Sequence, residues 1–450
     1  MNRKIRLFKT LILFFFFITN CVSSAGSTGD DPKIPVSSEL EKNNSCYVDF
    51  TPTYVLKDGV NILKLEPNSN IVKPIFFEID SVGSFSKGLA CVKIADKYGF
   101  IDKSGKIVIK PQFDSAFYLN EGLINVKIGG KYGSIDKSGK IVIKPQFDSA
   151  YDFSEGLALI KIGGKYGFID KSGKIVIKPQ FDSAYDFREG LARIQIGYED
   201  GFIDKSGKIV IKPQFDFAFG FSEGLACVKI EGKYGFIDKS GKIVIKPEFD
   251  DAFYFSEGLA SVKMGGKYGF IDKSGKLVIK PQFDSFYTFS EGLAEVKIGG
   301  KYGSIDKSGK IVIKPQFDDA FYFRDGDGLA SVKMGGKYGF IDKSGNIVIK
   351  PQFDDAKGFS DGLAFVKIGG KYGFIDKSGN IVIKPQFDDA KGFSEGLAFV
   401  KIGGKYGSID KSGKIVIKPQ FDEAYTFSDG VALIRIGGKY GFITLPSCIQ

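Results

Sequence analysis

"KYGFIDKSGKIVIKPQFD" occupies residues 97–114, and near-copies of it return until the chain ends. The period is read from the glycine after the tyrosine. Gly99, Gly133, Gly167, Gly201, Gly235, Gly269 and Gly303 follow one another at 34 residues. The step to Gly339 is 36, and Gly373, Gly407 and Gly441 resume at 34. At 450 residues the length alone suggests about three ordinary domains. Self-similarity overrides that prior and predicts a tandem array: ten units over 97–438 and an eleventh cut short at 439–450.

One unit, "GLALIKIGGKYGFIDKSGKIVIKPQFD" at residues 156–182, yields three strands. In "GLALIKI" Ala158, Ile160 and Ile162 share one face and Leu159 and Lys161 the other, the period of a strand with one buried face. The Leu159 position becomes Asn125, Arg193, Cys227, Ser261, Glu295 and Phe365 elsewhere, as an outward position would. Gly163-Gly164 is a tight-hairpin signal, because glycine reaches positive φ without steric cost. "KYGFID" follows, then the polar turn "DKSGK". The third strand, "IVIKPQFD", is apolar enough at its start to be buried on both faces, with Pro179 confining it to an edge, a bulge or a strand end. "SAYDFSEG" returns the chain to the next unit.

A three-stranded meander of this size cannot bury enough apolar surface to offset its ordering entropy, so copies must cover one another. Two architectures allow this. Propellers usually have four to eight four-stranded blades; three strands per unit and some eleven units favour an open solenoid or superhelix, with a closed propeller as the alternative. In the open form residues 46–96 form a degenerate N-terminal cap. The closed form would be completed by an extra strand, "CYVDF" at 46–50, and would bring Cys46 and Cys448 close enough for a disulfide. Cys91 and Cys227 share one outward repeat position and are not expected to pair.

The N-terminus reads as an address. "MNRKIRLFKTLILFFFFITNC" has a basic start and a short apolar run, the pattern of a signal peptide over 1–20. Ile18-Thr19-Asn20-Cys21 resembles a bacterial lipobox, which would make Cys21 the lipidated first residue; cleavage after Ala25 is the alternative. Residues 21–45 are a flexible tether. The expected location is the cell envelope, as an outer-membrane lipoprotein or else as a secreted or periplasmic protein. The formal charge of +10 shrinks to +6 once the four basic residues of the leader are set aside. Spread over eleven units, this is a mixed-sign surface and argues against nucleic acid.

The repeated residues Tyr-Gly-Phe-Ile-Asp-Lys-Ser-Gly-Lys, Ile-Val-Ile-Lys-Pro-Gln-Phe-Asp and Phe-Ser-Glu-Gly-Leu-Ala resemble the bacterial WG (KWG) repeat family over about residues 61–444. The family's tryptophan is tyrosine here, except for Asp200, which has Tyr198 nearby. The resemblance implies a β-rich repeat protein of the envelope and brings no catalytic residues.

The chain has no histidine, which removes the common general base, zinc ligand and nucleophile partner. "DKSG" offers one Asp, one Ser and a Lys per turn, too few ligands for calcium and enough for a plain turn. Tyr98, Tyr132, Tyr166, Tyr234, Tyr268, Tyr302, Tyr338, Tyr372, Tyr406 and Tyr440 would serve as packing between units or as a ladder of ligand contacts. Phe100, replaced by Ser134, Ser304 and Ser408 in other copies, reads as lying outside the deep core. Lys103 and Lys106 with their equivalents form a basic row, either solvated or facing acidic glycans or lipid headgroups. An enzyme would have to rest on Asp200, Arg193 or the Arg324-Asp325-Gly326-Asp327 insertion, none of which forms an acid, base and nucleophile set. The expected function is non-catalytic: a lipid-anchored surface binding proteins or glycans of the envelope or host. A structural spacer is the alternative. No cofactor, metal, nucleic acid or small-molecule substrate is expected, and membrane contact only through the anchor.

Overall fold

The computed structural model describes the backbone of residues 50–57, 60–67, 75–77 and 80–444, the last with gaps at 84, 104, 119–121, 320–322 and 324–327. Cys21, Cys46 and Cys448 lie outside the described residues, as do the leader and tether.

All the described regular structure is β. In the unit analysed above, the second strand Leu157–Ile162 pairs with Lys165–Ile169, which pairs with Ile175–Phe181. Gly163 and Gly164 turn the first hairpin at φ 57° and 82°, as expected of the dipeptide. A further strand, Ser149–Ser154, pairs with Leu157–Ile162 on its other edge. In most units this additional strand is two residues long, such as Ser183–Ala184 and Asp251–Ala252. Two residues show no periodicity, so the sequence reading placed them in the return segment. The unit is therefore a four-stranded antiparallel sheet.

Successive sheets are blades: blade 1 spans 81–113, blade 2 115–147, blade 3 149–181 and so on at the same interval to blade 7 at 285–317. Blade 8 (329–353) has three strands among the described residues, and blades 9 and 10 span 355–387 and 389–421. Blade 11 holds Glu423–Ala424, Val431–Ile436 and Lys439–Thr444, and takes its fourth strand from the far end of the chain. Three N-terminal strands, β1 (Phe50–Lys57), β2 (Val60–Pro67) and β3 (Ile75–Phe77), form a meander. β3 pairs antiparallel with Lys439–Thr444, Phe77 opposite Tyr440 and Ile75 opposite Phe442.

The array is thus a closed eleven-bladed propeller, the alternative architecture, and the open form is corrected. The closing strand is Ile75–Phe77; Phe50 begins the outer hairpin instead. Strand number misled the sequence reading because the innermost strand is so short.

Packing shows the same closure. The face of blade 3 carrying Leu159, Phe168, Ile177 and Phe181 is buried against Ala184, Phe187, Ala192, Ile194 and Ile203 of blade 4. Across the seam, Phe442 and Val431 of blade 11 pack with Ala90, Val92 and Ile101 of blade 1. Phe85 meets Phe442 edge-to-face at 4.8 Å and 62°, matching Phe168 with Phe187 at 4.9 Å and 62°. The junction of the two ends repeats an ordinary interblade contact.

Because each sheet is sandwiched, both faces of its middle strands are buried. The variable position read as outward is interior: Leu159, Cys227, Asn125 and Arg193 are all buried. Phe100 and the Ser134, Ser304 and Ser408 that replace it are buried too. In blade 10 the space left by Ser408 is used by its cross-strand neighbour Phe399, which stacks on Phe427 at 5.4 Å. The third sequence strand, expected to be buried on both faces, is instead a sheet edge: Ile177 and Phe181 are buried while Ile175 and Val176 are exposed. Its proline sits at a bulge, where pairing shifts register between Tyr166 and Phe168.

That bulge explains the repeated glycine of the third strand in blades 1–10. A Cβ on Gly167 would lie 2.5 Å from the Ile177 carbonyl oxygen and 2.6 Å from the Pro179 nitrogen. The edge strand crosses so closely that only hydrogen fits.

Candidate functional site

Three layers of polar groups recur from blade to blade. At the hairpin end, Asp182 accepts from Lys165 Nζ of blade 3 at 2.5 Å and from the Gly197 N–H of blade 4 at 2.8 Å. The Lys165 hydrogen bond, then the Gly197 N–H, hold its carboxyl below the usual Asp range. At the other end, Glu155 sits at φ 50°, a left-handed position that costs a non-glycine residue strain. Its carboxylate accepts from the Gly190 N–H at 3.0 Å and pairs with Lys205 of blade 4 at 3.0 Å. Lys103 repeats this across the seam, donating to the Asp429 carbonyl at 2.6 Å. So the Lys103 row, read as a free basic edge, stitches blade to blade. Within "DKSG", Asp170 Oδ1 accepts from Ser172 N (2.9 Å), Ser172 Oγ (2.6 Å) and Lys174 N (3.1 Å), a turn that occupies its own carboxylate.

The second layer holds the candidate tyrosines. Each faces the next blade, half-buried except for the buried Tyr406. In every one a cross-strand cation lies over the ring, nine lysines and Arg435, at 4.8 to 5.9 Å. Three hydroxyls reach the innermost strand: Tyr268 donates to Asp251 Oδ2 at 3.3 Å, Tyr372 to Asp355 Oδ2 at 3.2 Å, and Tyr406 to Asp389. Burial, then the Asp251 charge, push the Tyr268 hydroxyl up to about 12. The ten tyrosines share one ring-wide level but stay separated, one per seam.

Blade 4 departs from this scheme. Asp200, where the tyrosine should be, is buried and pairs with Arg193 Nε at 3.0 Å, while its Oδ2 accepts from the Ala218 N–H at 2.8 Å. Burial raises the Asp200 carboxyl, and the Arg193 charge opposes that. The Arg193 guanidinium lies over Tyr185 at 4.2 Å and Phe217 at 4.5 Å. The pair fills the vacated aromatic volume. Tyr198 projects from the hairpin tip, 93% exposed, and takes no part.

The third layer lies on the innermost strands, which sequence reasoning missed by assigning them to the return segment. Consecutive first strands converge, with Phe219 and Phe253 of adjacent blades 6.3 Å apart and Phe253 5.4 Å from Phe286. On the opposite edges, side chains such as Ile175 and Val176 are exposed. After the two residues of this strand, Ser-Ala in three copies and varied in the others, comes one residue that differs between copies: Gly83, Phe117, Tyr151, Tyr185, Phe219, Phe253, Tyr287, Phe321, Lys357, Lys391 and Tyr425. In most blades its N–H donates to the carbonyl of the variable buried position, as Tyr185 to Arg193 and Phe253 to Ser261. Two of the variable positions of the repeat are therefore hydrogen-bonded neighbours. That clustering of differences is the signal available in the sequence.

Cys91 and Cys227 are free thiols; burial pushes Cys91 up to about 12 and raises Cys227 further.

The family described as "WG containing repeat" matches in eleven consecutive stretches, from 70–98 and 98–132 through to 406–440. The chain belongs to the WG repeat family. Nine of the eleven matches run from tyrosine to tyrosine and so straddle two blades. No curated protein matches the chain. Among solved structures, a eukaryotic initiation factor is similar at 12% identity and TM-score 0.40, covering 78% of this chain and 99% of its own. Apo AztD from Citrobacter koseri gives 15%, 0.28, 63% and 94%. The extracellular domain of the hybrid two-component system BT3049 from B. thetaiotaomicron gives 11%, 0.25, 88% and 68%.

Proposed function

We propose that this propeller is a non-catalytic binding scaffold of the cell envelope, exported by its N-terminal leader and anchored through Cys21, with proteins or glycans as partners. One observation carries the reading. The repeated polar groups are spent on holding blades together, while the residue that follows each first-strand pair differs between copies and is exposed in several blades, where a partner would meet it. A reaction centre needs one preorganised constellation; a recognition surface needs varied side chains on a rigid frame.

The test compares the full chain with a variant carrying alanine at Tyr151, Tyr185 and Tyr287 for binding to fractionated envelope proteins and glycans. Retention of no fraction by the full chain would refute the reading. Incorporation of an alkyne-palmitate label, lost in Cys21→Ser, tests the anchor. Failure of external protease to cut the chain on intact cells would favour the structural-spacer alternative in the periplasm.

A further inference from the structure

The variable inner residues are not scattered in type. From blade 2 to blade 7 they are Phe117, Tyr151, Tyr185, Phe219, Phe253 and Tyr287, and the sequence continues with Phe321 in the eighth copy, an unbroken aromatic run of seven. Blades 9 and 10 carry Lys357 and Lys391 at that position, and blade 1 carries Gly83. Phe117, Tyr151, Tyr185 and Tyr287 are between 40% and 59% exposed. These rings stand out of a segment otherwise anchored by the buried Phe153, Ala184 and Phe187. Apolar area left in water on a ring wide enough for eleven blades is a surface without its partner.

The flanking chemistry narrows the partner. The residues after Tyr151 and Tyr185 are Asp152 and Asp186, both solvent-exposed. Desolvation by the surrounding protein nevertheless raises both carboxyls. Arg193 is committed to Asp200 and sandwiched by Tyr185 and Phe217, and Arg188 lies beside Asp186. The arc thus offers flat ring faces, hydroxyls and carboxylate acceptors, with its cations engaged. An anionic ligand would meet the Asp152 carboxylate without a counter-charge, and at Asp186 only Arg188 would offset the repulsion. Pyranose rings suit it: their C–H faces stack on aromatic rings, and their hydroxyls donate to carboxylates.

We propose that the inner arc of blades 2–7 binds an uncharged glycan chain, laid across successive aromatic rings with sugar hydroxyls donating to Asp152 and Asp186. This rests on the binding-scaffold reading above and gives it a site and a ligand class. It differs from the sequence expectation, which placed ligand contact on the Tyr98–Tyr440 row.

The experiment is calorimetric titration of the full chain with cellohexaose, maltohexaose and chitohexaose. The same sugars are titrated into Tyr151→Ala/Tyr185→Ala/Tyr287→Ala, into Asp152→Asn/Asp186→Asn, and into the outer-edge control Lys144→Ala/Lys178→Ala. The tyrosines are exposed, so circular dichroism should show each variant folded. At least one hexasaccharide should bind. The tyrosine variant should weaken it by about tenfold or more, as loss of several aromatic contacts implies, with the control unchanged. Wild-type affinity in the tyrosine variant would overturn the site while leaving the scaffold reading intact. Binding of none of the three sugars would overturn the ligand class. Binding of hexalysine but no sugar, lost in Asp152→Asn/Asp186→Asn, would overturn it in favour of a cationic peptide.

Discussion

Gly235→Ala tests the closest approach in the fold. Gly235 has strand-type φ, so alanine is acceptable to its backbone, and any cost is steric. Its added Cβ would lie 2.6 Å from the Ile245 oxygen, 2.7 Å from the Pro247 nitrogen and 2.9 Å from the Lys246 carbonyl carbon. All three are backbone atoms of the edge strand, so no side chain can swing aside. The strand must lift, which moves Ile245 and Phe249 out of the cluster they share with blade 6. Overpacking of this kind costs about 1–3 kcal/mol; the upper part of that range applies because the obstacle is main chain. About 2 kcal/mol is a change of roughly 30-fold in the unfolding equilibrium. Urea unfolding followed by tyrosine fluorescence, at unchanged m-value, reads the difference as a lower midpoint. Gly392→Ala is the matched control. Its Cβ would meet Ser360 Cβ at an ordinary 3.6 Å with no positive φ, so it should be neutral or raise stability by about 0.4–1 kcal/mol. A Gly235→Ala protein within about 0.5 kcal/mol of wild type would refute the close crossing and with it the stated reason for the Tyr-Gly motif.

Arg193→Leu should destabilise by about 3–5 kcal/mol, because it strands the buried Asp200 carboxylate. Arg193→Leu/Asp200→Tyr should recover most of that loss, and a chemical-denaturation cycle showing additivity would contradict the compensated-pair account. The carboxyls of Asp114, Asp148, Asp182, Asp250 and Asp354 are held low, first by their lysine hydrogen bonds. Their stabilisation is complete above the unfolded Asp value of about 3.9 and is lost as pH falls through the lowered folded values. Thermal stability should therefore hold from neutral pH to about 5 and fall below about 4; a fall beginning near pH 6 would count against it. Lys205→Ala removes one exposed interblade pair and should cost no more than about 1 kcal/mol by thermal melting. The buried Cys227 thiol should resist maleimide at pH 7 in the folded chain and react in urea, as intact-protein mass spectrometry would show.

Much of the fold was legible because the turns carry rigid chemistry. Gly163-Gly164, "DKSG" and Pro179 each allow few conformations, and each did what its residues dictated. Burial was misread for one reason. Alternation along "LALIKI" was interpreted for a lone sheet with one wet face, whereas each blade is covered on both sides by neighbours that one unit's sequence does not reveal. Substitutions such as Ser408 or Asn125 then looked like exposure, although Asn125 is fully buried and donates to the Ala150 carbonyl at 3.1 Å. Closure was illegible because β3 is three residues of a degenerate copy, with no period to detect. The tyrosine row was visible as a motif; the inner aromatic arc was visible only as differences between copies.

The end-to-end pairing touches blade 11 alone: three residues of β3 against Lys439–Thr444. Nothing in that clasp counts how many segments lie between. Each of the eleven sheets turns the chain by about 33°, and a circle of ten would ask about 36°, a change of some three degrees shared by every seam. Excising Gly235–Tyr268 would rejoin Tyr234 to Gly269 and keep the motif whole. Rotational averages from electron microscopy should then show ten petals. Genes built of near-identical tandem segments lengthen and shorten readily during copying, so a closure indifferent to number would let the diameter of such a ring drift without ever breaking the ring.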